Sequence, residues 1–318
     1  MGDLANFYAP KVLGELAVGY GGQNFVAAKA LPIVNTPDQT GQFQTFDKSN
    51  MALDVAGLRT SPTSDVMYVD QGVTKTDYAV KGYGARAFVP NAKDEDVAGQ
   101  YLASAVHVVM GNLLRVRESV GLSLIANCGN STSLTTKWDA AGATFGTVVA
   151  GVQEMQDDLI TNSGMRGNIL VMGQDAWALV AGLVAAMSFD IGIPSTRTVA
   201  QRLGLSDILV AEASYVTEIN NGAWDSNVDF WTAGNVALLN NGLPTMPESS
   251  GDLDSSEFIP SYGKLVQWTN GSVMNGIEWR SVENPLKGSH GGVDVFGTLY
   301  ITAVEQINGA CTIADVTT

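Results

Sequence analysis

Two histidines and two cysteines in 318 residues leave little material for a catalytic or metal-binding centre. Nucleophilic catalysis needs a base within hydrogen-bond reach, most often histidine. His107 falls inside a helical pattern beside Val106 and Val108 and reads as a structural residue. His290 sits in the glycine-rich turn Gly288-Ser289-His290-Gly291-Gly292, and the chain has no G-x-S-x-G elbow. Cys128 and Cys311 are far apart and belong to no Cys-x-x-Cys or Cys/His cluster, so both read as buried, reduced thiols. The glycine groups at 19–22 and 288–292 lack the spacing of phosphate-binding loops. The acidic clusters Asp94-Glu95-Asp96, Asp157-Asp158 and Asp252-Leu253-Asp254 lack the ligand periodicity of a calcium loop. No catalytic residue, cofactor site or metal ligand set is assigned, and the chain is read as a non-enzyme.

Charge is also scarce. Only 15% of residues are charged, and 17 basic residues against 32 acidic ones leave a net charge of −15. Tight, sequence-reading contact with nucleic acid needs clustered Lys and Arg, which this balance opposes. A surface so poor in charge, with 35 glycines, suits extensive contact with other protein chains. No run approaches the roughly 18 apolar residues of a membrane span. The N-terminus has no basic segment leading into an apolar one, so synthesis and retention in cytoplasm-like conditions are expected.

What is present is 45% hydrophobic content, enough for real cores, in an uneven order. Residues 1–40 hold short apolar groups, a glycine run and then Pro32 and Pro37, which reads as an arm with one short helix that must lie on something else. From Gly41 to Asn91 the pattern alternates in the manner of strands, as in Gln42-Phe43-Gln44-Thr45-Phe46 and Lys75 to Lys81. A long two-stranded excursion with a broad tip near 50–65 follows, and an isolated hairpin of this kind is marginal in water.

After Asp94-Glu95-Asp96, apolar residues recur at Leu102, Val106, Val109, Leu113, Val116, Val120 and Leu124, one helical face held for many turns. Unbroken from 94 to 126, such a helix would be roughly 50 Å long. Gly99, Gly111 and Gly121 weaken it unless they permit close packing, and a bend there is allowed. Beyond Gly142 the reading is a compact α/β unit. It has a helix over 148–160, a buried strand over 168–172, a helix from 174, a strand over 207–211, and a further pair at 228–231 and 236–240. Residues 243–263 are loop-like, strands are expected at 262–269, 276–282 and 293–302, and a short tail at 307–317.

The spine-like helix beginning at Asp94, the segment Gly167-Asn168-Ile169-Leu170-Val171-Met172-Gly173-Gln174-Asp175-Ala176-Trp177, and Gly204-Leu205-Ser206-Asp207-Ile208-Leu209-Val210 occur in a telling order. With the arm and the β-excursion before them and strands after, they resemble the major capsid proteins of tailed bacteriophages, the α+β Hong Kong 97-type fold. The resemblance covers nearly the whole chain. It implies an N-terminal arm (1–40), an extended loop (41–93), a peripheral domain with the spine helix (94–141 and 286–318) and an axial domain (142–285).

The implied function is self-assembly into pentamers and hexamers of an icosahedral shell enclosing double-stranded DNA, found in the virion capsid and put together in the host cytoplasm. The implied partners are further copies of the chain, a separate scaffolding protein, a portal and a decoration protein. The DNA is held without sequence-specific contacts, and no membrane is involved. The resemblance makes Met51, Leu53, Val55 and Leu58 of the loop, and Trp224, Phe230 and Trp231 of the axial domain, candidate assembly contacts. Two other readings stand beside it: an encapsulin-type nanocompartment of the same fold carrying an enzyme cargo, and a soluble α/β enzyme or ligand-binding protein built on 142–240.

Overall fold

The computed structural model describes residues 25–45, 74–90, 95–187, 194–216, 219–220, 223–224, 227–242, 260–269, 276–286 and 291–317. The arm ends in a single helical turn, α1 (Ala27–Ala30), followed by β1 (Ile33–Thr36). Strands β2 (Thr40–Thr45) and β3 (Thr74–Ala79) pair antiparallel, from Thr40 opposite Ala79 to Thr45 opposite Thr74, so the expected hairpin is present at its base. After Val80 the chain continues as β4 (Lys81–Pro90) and then enters α2 (Glu95–Ala126).

Helix α2 has 32 residues, about 48 Å at ~1.5 Å per residue. Its first half buries the expected face, with Leu102, Val106, Val109 and Leu113 almost completely covered. Further along, the buried line moves to Glu118, Gly121, Leu122 and Ile125, while Val116, Val120 and Leu124 are only half-buried. The reason is the arm, whose turn α1 lies against that part of the helix.

The α/β unit contains α3 (Phe145–Ser163), β5 (Ile169–Gly173), α4 (Gln174–Met187), α5 (Thr196–Leu203) and β6 (Asp207–Ala211). Every residue of β5 is buried, as its continuous apolar run requires of a central strand. The chain then forms β7 (Ser214–Val216), β8 (Ile219–Asn220), β9 (Ala223–Trp224), β10 (Asn227–Asp229) and β11 (Asn235–Leu239). It closes with β12 (Gly263–Trp268), β13 (Ile277–Asn284), β14 (Gly292–Glu305) and β15 (Cys311–Asp315).

Two larger sheets organise these strands. One has the order β15-β11-β5-β6, with β5 and β6 parallel and the other pairs antiparallel. The other is built on β14, which pairs with β4, β12 and β13, while β1 lies parallel to the outer side of β12. Ile301 pairs with both Lys81 and Gln267, which places β4 and β12 on opposite edges of β14. Helix α2 packs on this sheet through Val109 and Leu113, which reach the bare α-carbon of Gly297.

Five expectations change. The strands near 228–231 and 236–240 do not pair with each other: β10 pairs with β7, and β11 lies between β5 and β15. The segment read as a tail at 307–317 supplies β15 to the α/β sheet. Conversely, β12 and β13 join β14 rather than the α/β unit, and β4 belongs to that same sheet rather than to the projecting loop. The sheets therefore do not follow a division at 285/286, because hydrogen-bonded strand partners are distant in sequence. Helix α5 was not expected, since its sequence is largely polar.

Candidate assembly surfaces

The arm is seated by a buried carboxylate. Glu118, 1% exposed, accepts hydrogen bonds from the backbone N–H groups of Val26 and Ala27, each 2.9 Å long. These are donors that the start of a helical turn leaves without partners. Burial raises the Glu118 carboxyl above the usual carboxylate range, while the two N–H donors and the neighbouring Arg117 act in the opposite direction. The arm's Val26, Ala27, Ala30 and Leu31 thereby enter the main core.

The hairpin is held mainly at its foot. In β3 every residue except Tyr78 is exposed, and in β2 only Phe43 is fully buried. Phe43 packs with Val266 of β12, Val304 of β14 and Tyr78, and the Lys264 ammonium lies 5.7 Å from its ring centre. Val80 donates to the Gln39 carbonyl at 2.8 Å, and the Thr36 and Tyr78 hydroxyls are 3.0 Å apart. Where β3 leaves the direction of β4, it opens a cleft of about 570 Å³ between Thr74–Ala79 and the 302–306 end of β14. Opposite β12, that end of β14 has no partner among the described strands.

Met51, Leu53, Val55 and Leu58 lie outside the described residues, as do His290 and the 243–259 part of the loop that follows β11. Trp224 ends the two-residue strand β9, which pairs with β8. Phe230 is half-buried and packs on the main core. Trp231 is 4% exposed, and its indole N–H donates to the Asn235 carbonyl at 2.8 Å, so nearly all of its surface is used within the chain.

The structure adds exposed apolar side chains that the sequence reading passed over. Tyr101 and Val108, 48% and 56% exposed, stand seven residues apart on the outer side of α2. Met187 ends α4 at 60% exposure, and Leu286 follows β13 at 94%. The available signal was position: Tyr101 and Val108 fall between the apolar residues that mark the buried face. Among the described residues no three His, Cys, Asp or Glu side chains converge to hold a metal, and no helix is long and apolar enough to cross a membrane.

No family model matches the chain. It is 23% identical over 275 residues to the major capsid protein of Burkholderia phage BcepMu, covering 83% of this chain and 85% of that one. Among solved structures it resembles a phage-related protein from Bordetella bronchiseptica RB50, with a TM-score of 0.64, 15% identity and 96% of both chains covered. It also superposes on the capsid protein of a native gene transfer agent particle, with a TM-score of 0.53, 11% identity, and 94% and 92% covered. The fold is therefore the α+β Hong Kong 97-type capsid fold. The resemblance to the major capsid proteins of tailed phages, drawn from element order, holds in both sequence and structure comparisons.

Proposed function

We propose that the chain is a major capsid subunit whose activity is assembly with copies of itself into pentamers and hexamers of an icosahedral shell around double-stranded DNA. The observation that carries this reading is the hairpin β2–β3. In a chain with a shell-protein fold over nearly its whole length, these strands leave the sheet with five of the six β3 residues exposed and little beyond Phe43 and Tyr78 to anchor them. A hairpin with so little core of its own gains stability when a second surface covers it. A neighbouring copy is the occupant that the fold supplies.

On this reading Met51, Leu53, Val55 and Leu58 are loop contacts to that neighbour, and Trp224 and Phe230 belong to contacts between α/β units. A separate scaffolding protein, a portal and a decoration protein are the expected partners. Assembly takes place in the host cytoplasm, and the product is the virion capsid. The net charge of −15 fits a container that confines DNA without gripping its phosphates.

The test is electron microscopy of the purified chain, alone and co-produced with the products of neighbouring genes. Rings or closed shells are expected, with nuclease-protected DNA inside particles recovered from infected cells. Monomers under every assembly condition would overturn the proposal, and a protein cargo in place of DNA would favour the nanocompartment reading. Leu53→Asp and Leu58→Asp should abolish shells while leaving the thermal unfolding of the monomer within a few degrees of the parent. Normal shells from either variant would remove the loop from the interface.

A further inference from the structure

The two cysteines, remote in sequence, meet in the fold. Cys128 lies just beyond the C-terminal end of α2 and donates its thiol to the Asn130 carbonyl at 3.4 Å, while Cys311 opens β15, and the two thiols lie close enough to shift each other's ionisation. Both are free thiols. The backbone around them is fixed on both sides. Asn130 donates its side-chain amide to the Cys311 carbonyl at 3.2 Å, and Ile313 donates its N–H to the Asn130 carbonyl at 3.2 Å. Thr132 donates to the Ile313 carbonyl at 2.8 Å, and the Thr132 and Thr312 hydroxyls are 2.8 Å apart. Residues 130–132 are thus laid along β15, which brings the end of α2 and its Cys128 beside the strand that carries Cys311.

Exposure differs between the pair. Cys311 is fully buried, whereas Cys128 is half-buried and its neighbour Gly129 is exposed. A reagent in solution meets Cys128 before the fully buried Cys311.

We propose that Cys128 and Cys311 form an intramolecular disulfide when the folded chain meets a small-molecule disulfide oxidant, tying the end of the long helix to the edge strand β15. In the first step the Cys128 thiolate attacks one sulfur of the oxidant, forming a mixed disulfide and expelling one thiolate. Cys311 then attacks the Cys128 sulfur and expels the second thiolate, and the two protons from the cysteines end on the two departing thiols. Two thiols are oxidised and one oxidant disulfide is reduced. The order of attack has an electrostatic basis. The neighbouring Cys311 side chain holds the Cys128 thiol below its ordinary range, and burial pushes that of Cys311 well above it. The inference concerns contacts inside one subunit and does not depend on the shell reading.

The experiment uses the full-length chain, reduced, freed of reductant, treated while folded with oxidised glutathione, then denatured and alkylated. Intact mass should show the loss of two hydrogen atoms with no glutathione and no alkylation, and digestion should yield one peptide pair linked through Cys128 and Cys311. Cys311→Ser should stop at a glutathione adduct on Cys128, and Cys128→Ser should lose the reaction altogether. Circular dichroism of both variants verifies the fold. The oxidised parent should unfold at a temperature raised by roughly 5 °C, since a long closed loop restricts the unfolded chain. Full alkylation of both cysteines after oxidation, a persistent glutathione adduct on the parent, or disulfide-linked dimers would overturn the proposal.

Discussion

Ala27 lies so close to Gly121 that a β-carbon placed on the glycine would stand 2.6 Å from the β-carbon of Ala27. A glycine inside a helix costs about 1 kcal/mol relative to alanine, so Gly121→Ala would ordinarily stabilise α2. Here overpacking against a short backbone turn costs roughly 1–3 kcal/mol, because Ala27 has no flexible side chain to move aside. The expected net effect is a loss of up to ~2 kcal/mol in denaturant unfolding, in place of the gain of about 1 kcal/mol that the helix alone would show. Gly182→Ala in α4 is the control: outside its own helix, no atom of the described residues lies within 4 Å of the added carbon, and stability should rise by up to ~1 kcal/mol.

Glu118 makes the arm's attachment sensitive to substitution and to pH. Glu118→Ala leaves the Val26 and Ala27 N–H groups without their acceptor, which should cost about 2–4 kcal/mol. Because burial raises the carboxyl in the folded chain, the folded state binds a proton more tightly than the unfolded state. This group's contribution to stability is therefore greatest below the ordinary carboxylate range and declines as pH rises through the folded value. Unfolding of the parent and of Glu118→Gln, followed from acid to neutral pH, should show the difference between them moving against the parent and then levelling off.

Phe43 is the anchor of the hairpin. Phe43→Ala should accelerate hydrogen exchange selectively in β2 and β3, with the protection of β5 and β11 unchanged. The global unfolding midpoint should move only a few degrees, since the small cluster with Val266 and Val304 is separate from the main core. Equal acceleration throughout the chain would show that the hairpin and the core unfold as one unit.

Trp231 and Phe230 should behave differently despite being neighbours. Trp231→Ala removes a buried ring and its hydrogen bond to Asn235, and should cost roughly 3–5 kcal/mol with poor recovery of folded monomer. Phe230→Ala, at a half-buried position, should cost less than half as much. Thermal unfolding of the unassembled chains measures both.

The elements that were legible in the sequence are those whose signal is local. The three- and four-residue spacing from Leu102 to Leu113 marks a helix face wherever it occurs, and Ile169–Gly173 is an apolar run between turn residues. Helix α5 was missed because its eight residues carry few apolar side chains. Its ends were nonetheless written in Ser195, whose side chain accepts from the Thr198 N–H, and in Gly204, left-handed at φ +72°. Strand β15 could not be placed locally, since its identity depends on β11, far earlier in the chain. The contact between Cys128 and Cys311 was hidden for the same reason. Of the candidate contacts, Trp231 shows the limit most clearly: a large aromatic in a polar stretch is as compatible with a core as with an interface, and only burial separates them.

Val80 stands between a strand fixed along ten residues of β14 and one that departs from it. Strand β3 is six residues long, about 20 Å at ~3.3 Å per residue, so a rotation of ~10° in the backbone at this pivot would sweep its far end by roughly 3–4 Å. A modest torsional adjustment at one position would thus redirect the whole outrigger, with the small Phe43 cluster as the one packed contact that must yield while the larger sheet beneath it stays rigid.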